Sequence, residues 1–409
     1  MAKGIEYLRK KLVSKQSRVR LRYNYYEMKE SHVPRNLMVP SSLKNKFNIQ
    51  LGWCTKAVDS LADRLQFRGF KNDNLDLETI YKMNNFDILP SSAILGALIS
   101  SCDFIYISKD EDEYPRMQVI DGYNATGIMD EITGMLKEGY AVLDRDEYGN
   151  PTIEAYFGPG FTDYYVVGQA PYRIDNIAKY PLLVPIVYRP DAKRPFGHSR
   201  ISRACMRYQN NVADTLLNMA ICSETNAFPQ KYLVGSDPDM DLDSGKAAMS
   251  SFLNVSKNED SGKIDIGQFA QASLTPYLNE IETQASLFAG ECGLTLDDLG
   301  FSKSNPSSVE AIKASHENLR LTARSAQRSF GVGFLNAGFL AACLRDDFAF
   351  NRQVLYETKP SWEPIFEPDA NAIGLIGDAA IKINTAVPGY FTNENLRDLT
   401  GIDADEWWN

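Results

Sequence analysis

The sequence predicts an α+β fold, in which antiparallel strands and long helices occupy different parts of the chain. Short β-rich runs separated by turn residues fill residues 103–195, and no helical segment alternates with them. Helical periodicity dominates before and after that stretch. With 409 residues, of which 44% are hydrophobic, the chain can form about two to four structural units with a large core. Because strands and helices do not alternate, a doubly wound nucleotide-binding fold is disfavoured.

The N-terminal part of the chain is predicted to be helical. Residues 1–22 carry eight basic residues against one acidic residue, Glu6, and with Leu8 and Leu12 they indicate a basic amphipathic helix. Its charged face is either solvated or a peripheral contact to a partner or to DNA. A second helix is predicted because apolar residues recur every four positions, at Trp53, Ala57, Leu61 and Leu65. Residues 75–102 are predicted to be helical again, with an interruption at Pro90.

Long helices follow the β-rich region. The first is predicted over about 198–224. The second has Thr275 as its expected N-cap, Pro276 in its first turn and Gly293 just past its end. Its apolar positions alternate in steps of three and four, which makes a narrow seam suited to packing beside another helix. They are Leu278, Ile281, Ala285, Phe288 and Cys292.

A third long helix is predicted to open at Ser307 and Glu310, which have the spacing of a capping box. It is expected to continue to about residue 344, with weakening or bending at Gly331, Gly333 and Gly338. An insert with two β-like runs, 225–270, separates the first two long helices, and a polar loop, 295–306, separates the last two. Residues 364–405 are predicted to form two short helices.

Composition limits the classes of function. The formal charge of −10 excludes a broadly basic nucleic-acid binder, so any DNA contact must be local or weak. The six cysteines are scattered and include no CxxC pair, which favours reduced, buried thiols over a disulfide framework or a zinc site. No apolar stretch is long enough to span a bilayer, and residues 1–22 lack the apolar run of a signal peptide. We therefore expect a soluble intracellular product without membrane contact.

No catalytic or metal-binding motif is evident in the sequence. The three histidines lie far apart, and His316 falls on an apolar helical stripe, where a packed imidazole is expected. Gly245-Lys246 is followed by Ala247, where a phosphate-binding loop needs Ser or Thr. The alternating aspartates of 237–243 begin like an EF-hand loop but lack its glycine and its final glutamate. We therefore expect no enzyme activity, no cofactor and no metal.

The order of these segments resembles the portal proteins of tailed double-stranded DNA bacteriophages, in the branch typical of long-tailed siphoviruses. The similarity covers nearly the whole chain and consists of soft patterns of apolar and small residues. Three groups of segments carry it: Asn48–Cys54 leading into Ala57–Leu65 and Gly69-Phe70; Gly197–Ile201 and, at the end of the first long helix, Ala227–Gln230; and Gly293–Gly300 followed by Asn305–Ile312.

The resemblance implies a portal fold with named regions. Residues 1–198 would form the wing, from N-terminal helices and the β-rich region, and 199–224 and 271–294 would be the two stem helices. The insert 225–270 would be the small α/β clip. Residues 295–307 would be the tunnel loop, 308–363 the long spine helix with a return to the wing, and 364–409 a small helical crown.

The same resemblance implies functional surfaces but no catalytic residue. The DNA-facing tunnel loop would contain Phe301, Ser302, Lys303, Ser304, Asn305 and Pro306. Lys303 is the only charged residue between Ser302 and Val309, and it would either face DNA or be a solvated loop lysine. The docking face or bore of the clip would contain Lys231, Lys246, Lys257 and Lys263. The stem would make subunit contacts through Leu278, Ile281, Ala285 and Phe288. A basic stripe on the long helix, Arg320, Arg324 and Arg328, would either form salt bridges within the helix or contact nucleic acid or an acidic neighbouring subunit.

Implied partners follow from the family. The chain would form a homo-oligomeric ring, usually of twelve subunits, at one vertex of the virion capsid, assembled in the host cytoplasm. Double-stranded DNA would pass through it during packaging and ejection, and the terminase large subunit and then a head–tail adaptor would dock on it, beside the major capsid protein and a scaffold. Two other interpretations stay open from the residues alone: an α/β enzyme without a recognised motif, and another capsid ring or adaptor protein.

Overall fold

A computed structural model describes residues 3–30, 49–109, 114–227, 231–234, 252–255, 265–270, 272–301, 314–366, 370–400 and 402. In that part of the chain, helices and strands form a mixed fold, as the sequence predicts. The helices are α1 (Gly4–Tyr26), α2 (Trp53–Ala62), α3 (Leu77–Lys82), α4 (Leu89–Ser100), α5 (Arg203–Ala227), α6 (Thr275–Cys292), α7 (Glu317–Arg345), α8 (Ala370–Ala386) and α9 (Asn393–Thr400). Two short 3-10 helices cover Asp297–Leu299 and Arg352–Leu355.

The strands are β1 (Phe67–Lys71), β2 (Cys102–Lys109), β3 (Pro115–Ile120), β4 (Ala125–Met129), β5 (Leu136–Arg145), β6 (Pro151–Gly158), β7 (Phe161–Val166), β8 (Tyr172–Asp175), β9 (Leu183–Val187), β10 (Lys231–Val234), β11 (Phe252–Val255), β12 (Asp265–Gln268) and β13 (Lys359–Trp362). The β-rich region divides into an antiparallel five-stranded meander, β4-β5-β6-β7-β8, and a three-stranded sheet, β3-β2-β9. The antiparallel sheet expected for residues 103–195 is therefore present.

Two small sheets lie outside the β-rich region. β1 pairs with β13, which joins residues near 70 to residues near 360. In the insert, β10 pairs in parallel with β11 and antiparallel with β12. The predicted β-like runs of the insert are thus strands in their described portions, and they belong to one sheet.

The main core surrounds α7. This helix packs against β9, β13 and α3, and Phe330, Phe334 and Leu340 are fully buried. The helix continues through Gly331, Gly333 and Gly338, as expected for a helix that reaches about residue 344. A Cβ at Gly333 would lie 2.7 Å from Ile186 Cδ1, and one at Gly331 would lie 2.8 Å from the ring of Pro360. The glycines therefore allow close packing of neighbouring elements.

A second, smaller core holds α1 on the meander. Leu8 and Leu12 pack with Tyr140, Val142 and Tyr156. The predicted amphipathic helix is thus present, and its apolar stripe is covered by β5 and β6. Its basic side chains remain at the edges of this contact, and they form part of a cleft described below.

Candidate functional site

Helices α5 and α6, which the sequence analysis assigned to a stem, lie side by side in one chain. Ile281, Ala285 and Phe288 of α6 and Cys205 and Val212 of α5 are all buried. Polar contacts cross the same seam: Ser202 donates a hydrogen bond to Glu291 Oε1 at 2.8 Å, just before α5 begins. The narrow apolar stripe of α6 is therefore satisfied inside the subunit.

This packing corrects one set of predicted site residues. The subunit contacts predicted at Ile281, Ala285 and Phe288 are wrong, because these side chains are 6%, 0% and 0% exposed and have almost no surface to offer another subunit. Leu278 differs, since 55% of its surface is exposed. It is the one member of the predicted set that can contact another molecule without a change in the chain's own packing.

Arg200 anchors the base of the paired helices. The residue is 7% exposed. Its Nε donates to the carbonyl of Ala57 at 3.1 Å, and another guanidinium nitrogen donates to the carbonyl of Cys292. Its backbone N–H donates to the carbonyl of Leu98 at 2.8 Å. One side chain thus joins the start of α5 to α2 and to the end of α6, through hydrogen bonds from a charged donor, which are stronger than neutral ones.

The turn before Arg200 requires a glycine. Gly197 has φ +70, and a Cβ at this position would lie 2.0 Å from the carbonyl oxygen of Tyr188. Sequence analysis singled out Gly197–Ile201 only as part of a family resemblance and assigned no role to Arg200. The signal in the sequence was local: Arg200 lies three residues after Gly197, just before a long helix, and is followed by the apolar Ile201.

Two buried thiols meet in the same seam. The Sγ atoms of Cys205 and Cys292 are 3.2 Å apart. The contact with the other thiol and with Ser202 lowers the pKa of Cys205 to about 7, while the contact with Cys205 and burial raise the pKa of Cys292 above its ordinary value. Within the described residues none of the six cysteines forms a disulfide, and five of them are buried. The expectation of reduced, mostly buried cysteines agrees with this arrangement.

The segment after α6 is held firmly up to Phe301. Gly293 caps the helix with φ +65, as predicted for its C-terminus. Asp298 Oδ2 accepts hydrogen bonds from the backbone N–H and the hydroxyl of Thr295, both at 2.9 Å. The Phe301 ring lies 6.2 Å from the Trp53 ring, which in turn lies 5.4 Å from Phe288.

The predicted DNA-facing role of Phe301 is therefore not supported. Its ring packs against the main core, so it anchors the start of the loop. Ser302 to Pro306, including Lys303, lie outside the described residues. So do Lys246, Lys257 and Lys263, and for Lys231 only the backbone, at the start of β10, is described.

The three arginines of the basic stripe on α7 differ in their contacts. Arg320 forms a bidentate contact with Glu317, at 2.6 and 2.5 Å, which is the salt-bridge alternative left open above. Arg324 and Arg328 are exposed, and neither forms an ion pair with a described residue. His316 precedes α7, packed 6.3 Å from the Phe366 ring, as expected for a packed imidazole.

The described ranges contain neither a cluster suited to a metal ion nor a helix suited to a membrane. No cluster of three or more His, Cys, Asp or Glu side chains there could hold a metal ion. Among those residues, no helix combines the length and apolar character that crossing a bilayer requires.

Comparison with known proteins gives one consistent result. No protein-family model matches the chain. The portal protein of Mycobacterium phage L5 is 24% identical over 408 residues, covering 94% of this chain and 82% of the relative. The portal protein of Mycobacterium phage D29 is 23% identical over 416 residues, with the same coverage. The chain is similar to bacteriophage portal proteins. The resemblance expected from the sequence is thereby confirmed, and it extends over nearly the whole chain.

Solved structures give weaker matches than these portal proteins. The neck of a native GTA particle, computed with C12 symmetry, has a TM-score of 0.45 and 13% identity over 93% of this chain and 99% of that chain. The neck of an empty GTA particle, computed with C6 symmetry, has a TM-score of 0.43 and 12% identity over 86% of this chain and 90% of that chain.

Proposed function

We propose that this chain is the portal vertex protein of a tailed bacteriophage, a ring subunit around a channel through which double-stranded DNA enters and leaves the capsid. The observation that carries the proposal is the similarity to two portal proteins over 94% of the chain. The name of these relatives denotes a structural component of the virion. We accordingly place the protein in the virion and assign it no catalytic role.

The proposed regions keep the boundaries expected from the sequence. Residues 1–198 form the wing, 199–224 and 271–294 the stem, 225–270 the clip, 295–307 the tunnel loop, 308–363 the spine helix and wing return, and 364–409 the crown. The packing of α5 on α6 supports a stem made of a helix pair within each subunit. The small sheet of β10, β11 and β12 between those helices supports a separately folded clip.

The negative net charge of the chain is compatible with a channel in which DNA slides. A formal charge of −10 per subunit, repeated around a ring, opposes tight binding of phosphate, since each neutralised phosphate releases counterions and adds affinity. A few cations then suffice to centre the duplex. Lys303 is our candidate in the tunnel loop, and Lys231, Lys246, Lys257 and Lys263 are candidates for the clip bore or its docking face.

Partners are part of the same proposal. As the portal resemblance implies, the clip would dock the terminase large subunit, a separate ATPase, during packaging. The same surface would then take the head–tail adaptor, while the wing would face the major capsid protein and scaffold. Exposed Leu278 and the basic residues Arg324 and Arg328 are candidate contacts between subunits or with nucleic acid.

Negative-stain electron microscopy of the purified chain tests the proposal directly. We expect closed rings with a central hole wide enough for a DNA duplex, and class averages viewed end-on give the number of subunits. Deletion of residues 302–306 should leave rings intact and impair DNA packaging or retention. A protein that stays monomeric even with its capsid and scaffold partners would contradict the portal assignment, and unimpaired packaging by the deletion variant would contradict the tunnel-loop assignment.

A further inference from the structure

A basic cleft lies between α1, the turn before Arg200 and the start of α5. Its volume is about 800 Å³. Six basic side chains line it: Lys11, Lys15, Arg18, Arg22, Arg194 and Arg203. Glu291 is the one carboxylate among its described lining residues. This concentration of positive charge stands out in a chain whose formal charge is −10.

The inner cations of the cleft have neutral partners. Lys11 Nζ donates to the carbonyl of Gly127 at 2.6 Å, Lys15 Nζ donates to that of Ala125 at 2.5 Å, and Arg22 donates to that of Ser100 at 2.8 Å. Because a carbonyl carries no formal charge, these three bonds hold the side chains in place without neutralising them. Burial lowers the pKa of Lys15 to about 8, and the carboxylates of Asp103 and Asp121 partly oppose that shift.

The outer cations have no anionic partner. Arg18, Arg194 and Arg203 are exposed, and none of them forms an ion pair with a residue in the described part of the chain. Burial, together with the positive charges of these three arginines, lowers the pKa of Arg22 to about 10. The arginines thus stand close enough to one another to repel, which an incoming anion would relieve.

The size and walls of the cleft favour a protein segment. Clefts of ~300–1,000 Å³ accept a drug-sized group, which leaves room for a few side chains but not for a nucleic-acid duplex. Its walls also include the apolar Leu21, Phe196 and Met206. A segment that fits must therefore present both a carboxylate and an apolar or aromatic group.

The turn between β5 and β6 has this chemistry. Glu147 is exposed, and Tyr148 beside it has 90% of its surface exposed. Asp146 fixes the turn by accepting hydrogen bonds from the backbone N–H groups of Tyr148, at 3.0 Å, and Asn150, at 2.7 Å. Gly149, with φ +83, supplies the left-handed residue that the turn needs. A preorganised turn loses little entropy on binding.

We propose that the basic cleft of one subunit binds the 146–149 turn of a second copy of this chain. None of the turn residues lines the cleft of its own chain, so the contact is between molecules. Glu147 meets the arginines of the cleft, and the Tyr148 ring lies on its apolar wall, where arginine also stacks well on aromatic faces. Each subunit presents one turn and one cleft, as a head-to-tail contact in a closed ring requires. The inference rests on the proposed ring.

Charge reversal tests the contact. Arg203→Glu and Glu147→Lys should each lower the fraction of chains in rings about tenfold. The double variant, in which the Glu147–Arg203 pair is reversed at each contact between subunits, should restore at least half of the wild-type fraction. Glu131→Lys is the matched control, because Glu131 is an exposed acidic residue in the β4–β5 turn, at the opposite end of β5 from Glu147, and lies beside Ile132, which is 93% exposed. Single variants that assemble like the wild type would overturn the proposal, as would an equal loss in the control.

A binding measurement separates this inference from the ring itself. A cyclised peptide of residues 143–152 should bind, in calorimetry, the Glu147→Lys chain, whose clefts are not filled by the turn of a neighbouring subunit. Adding Arg18→Glu and Arg203→Glu to that chain should weaken the binding at least tenfold. The peptide should bind even if the protein stays monomeric. A monomeric protein would count against the proposed ring and not against the assignment of the cleft. Absence of peptide binding, or binding of inorganic phosphate and not the peptide, would overturn the cleft assignment.

Discussion

The buried and exposed sides of α6 provide a matched pair of substitutions, Ile281→Asp and Leu278→Asp. Both place a carboxylate on the same helix, less than one turn apart. Ile281 is 6% exposed and Leu278 is 55% exposed. Only Ile281→Asp introduces a charge between α5 and α6. We therefore expect Ile281→Asp to reduce the stability of the subunit and Leu278→Asp to reduce the assembly of subunits.

The magnitude for Ile281→Asp follows from burial. Removing a buried aliphatic side chain costs about 1.5–3 kcal/mol, and an unpaired carboxylate in apolar surroundings adds a further cost of about 1–3 kcal/mol. We expect the free energy of unfolding to fall by about 4 kcal/mol. Leu278→Asp should change it by less than about 1 kcal/mol, since substitutions at exposed positions have small effects, yet it should reduce ring formation.

Urea unfolding followed by tryptophan fluorescence provides the assay. Trp53 is 7% exposed and its ring lies 5.4 Å from that of Phe288, so its emission reports the packing of the helix pair. Light scattering and electron microscopy then measure assembly. An Ile281→Asp variant as stable as the wild type would refute the burial argument. Normal rings in Leu278→Asp would remove Leu278 from the subunit contact.

Three further predictions concern buried polar groups. Arg200→Met leaves two carbonyls without their donor and should lower the free energy of unfolding by about 2–5 kcal/mol, measured by urea unfolding, whereas Arg200→Lys should recover part of the loss. Burial raises the pKa of Asp103 to about 7, so unfolding releases a proton and stability should fall as pH rises from about 4 to 7. Asp103→Asn should flatten that slope in pH-dependent melting curves, and an unchanged slope would contradict the assignment. Mild oxidation should join Cys205 to Cys292, because their sulfurs are 3.2 Å apart, and peptide mapping by mass spectrometry would detect the bond; Cys205→Ser should abolish it.

Much of the local structure follows from the sequence. The spacing of Leu278, Ile281, Ala285 and Phe288 predicts a helix with one apolar stripe, and the structure has that helix with its predicted glycine cap. The turn-separated β-rich runs of 103–195 correctly predict antiparallel sheet. These predictions succeed because helix periodicity, strand alternation and turn chemistry are properties of neighbouring residues.

The sequence does not determine which surface each apolar stripe packs against. The spacing of apolar residues is the same whether a helix packs on α5 in the same chain or on another subunit. The sequence therefore predicted subunit contacts at Ile281, Ala285 and Phe288, and the structure buries these residues inside one subunit. Likewise, the glycines of α7 suggested a bend, and only the approach of Ile186 and Pro360 shows that they permit close packing.

The sequence by itself determined the class of fold, the order of its segments and the similarity to portal proteins, because these depend on local pattern and on segment order. Tertiary structure alone decided the role of Arg200 and the existence of the basic cleft. The cleft gathers residues 11–22, 194–203 and 291, which are far apart in the chain. Charges add up in space rather than along the sequence, so folding was needed to reveal a local positive field on an acidic protein.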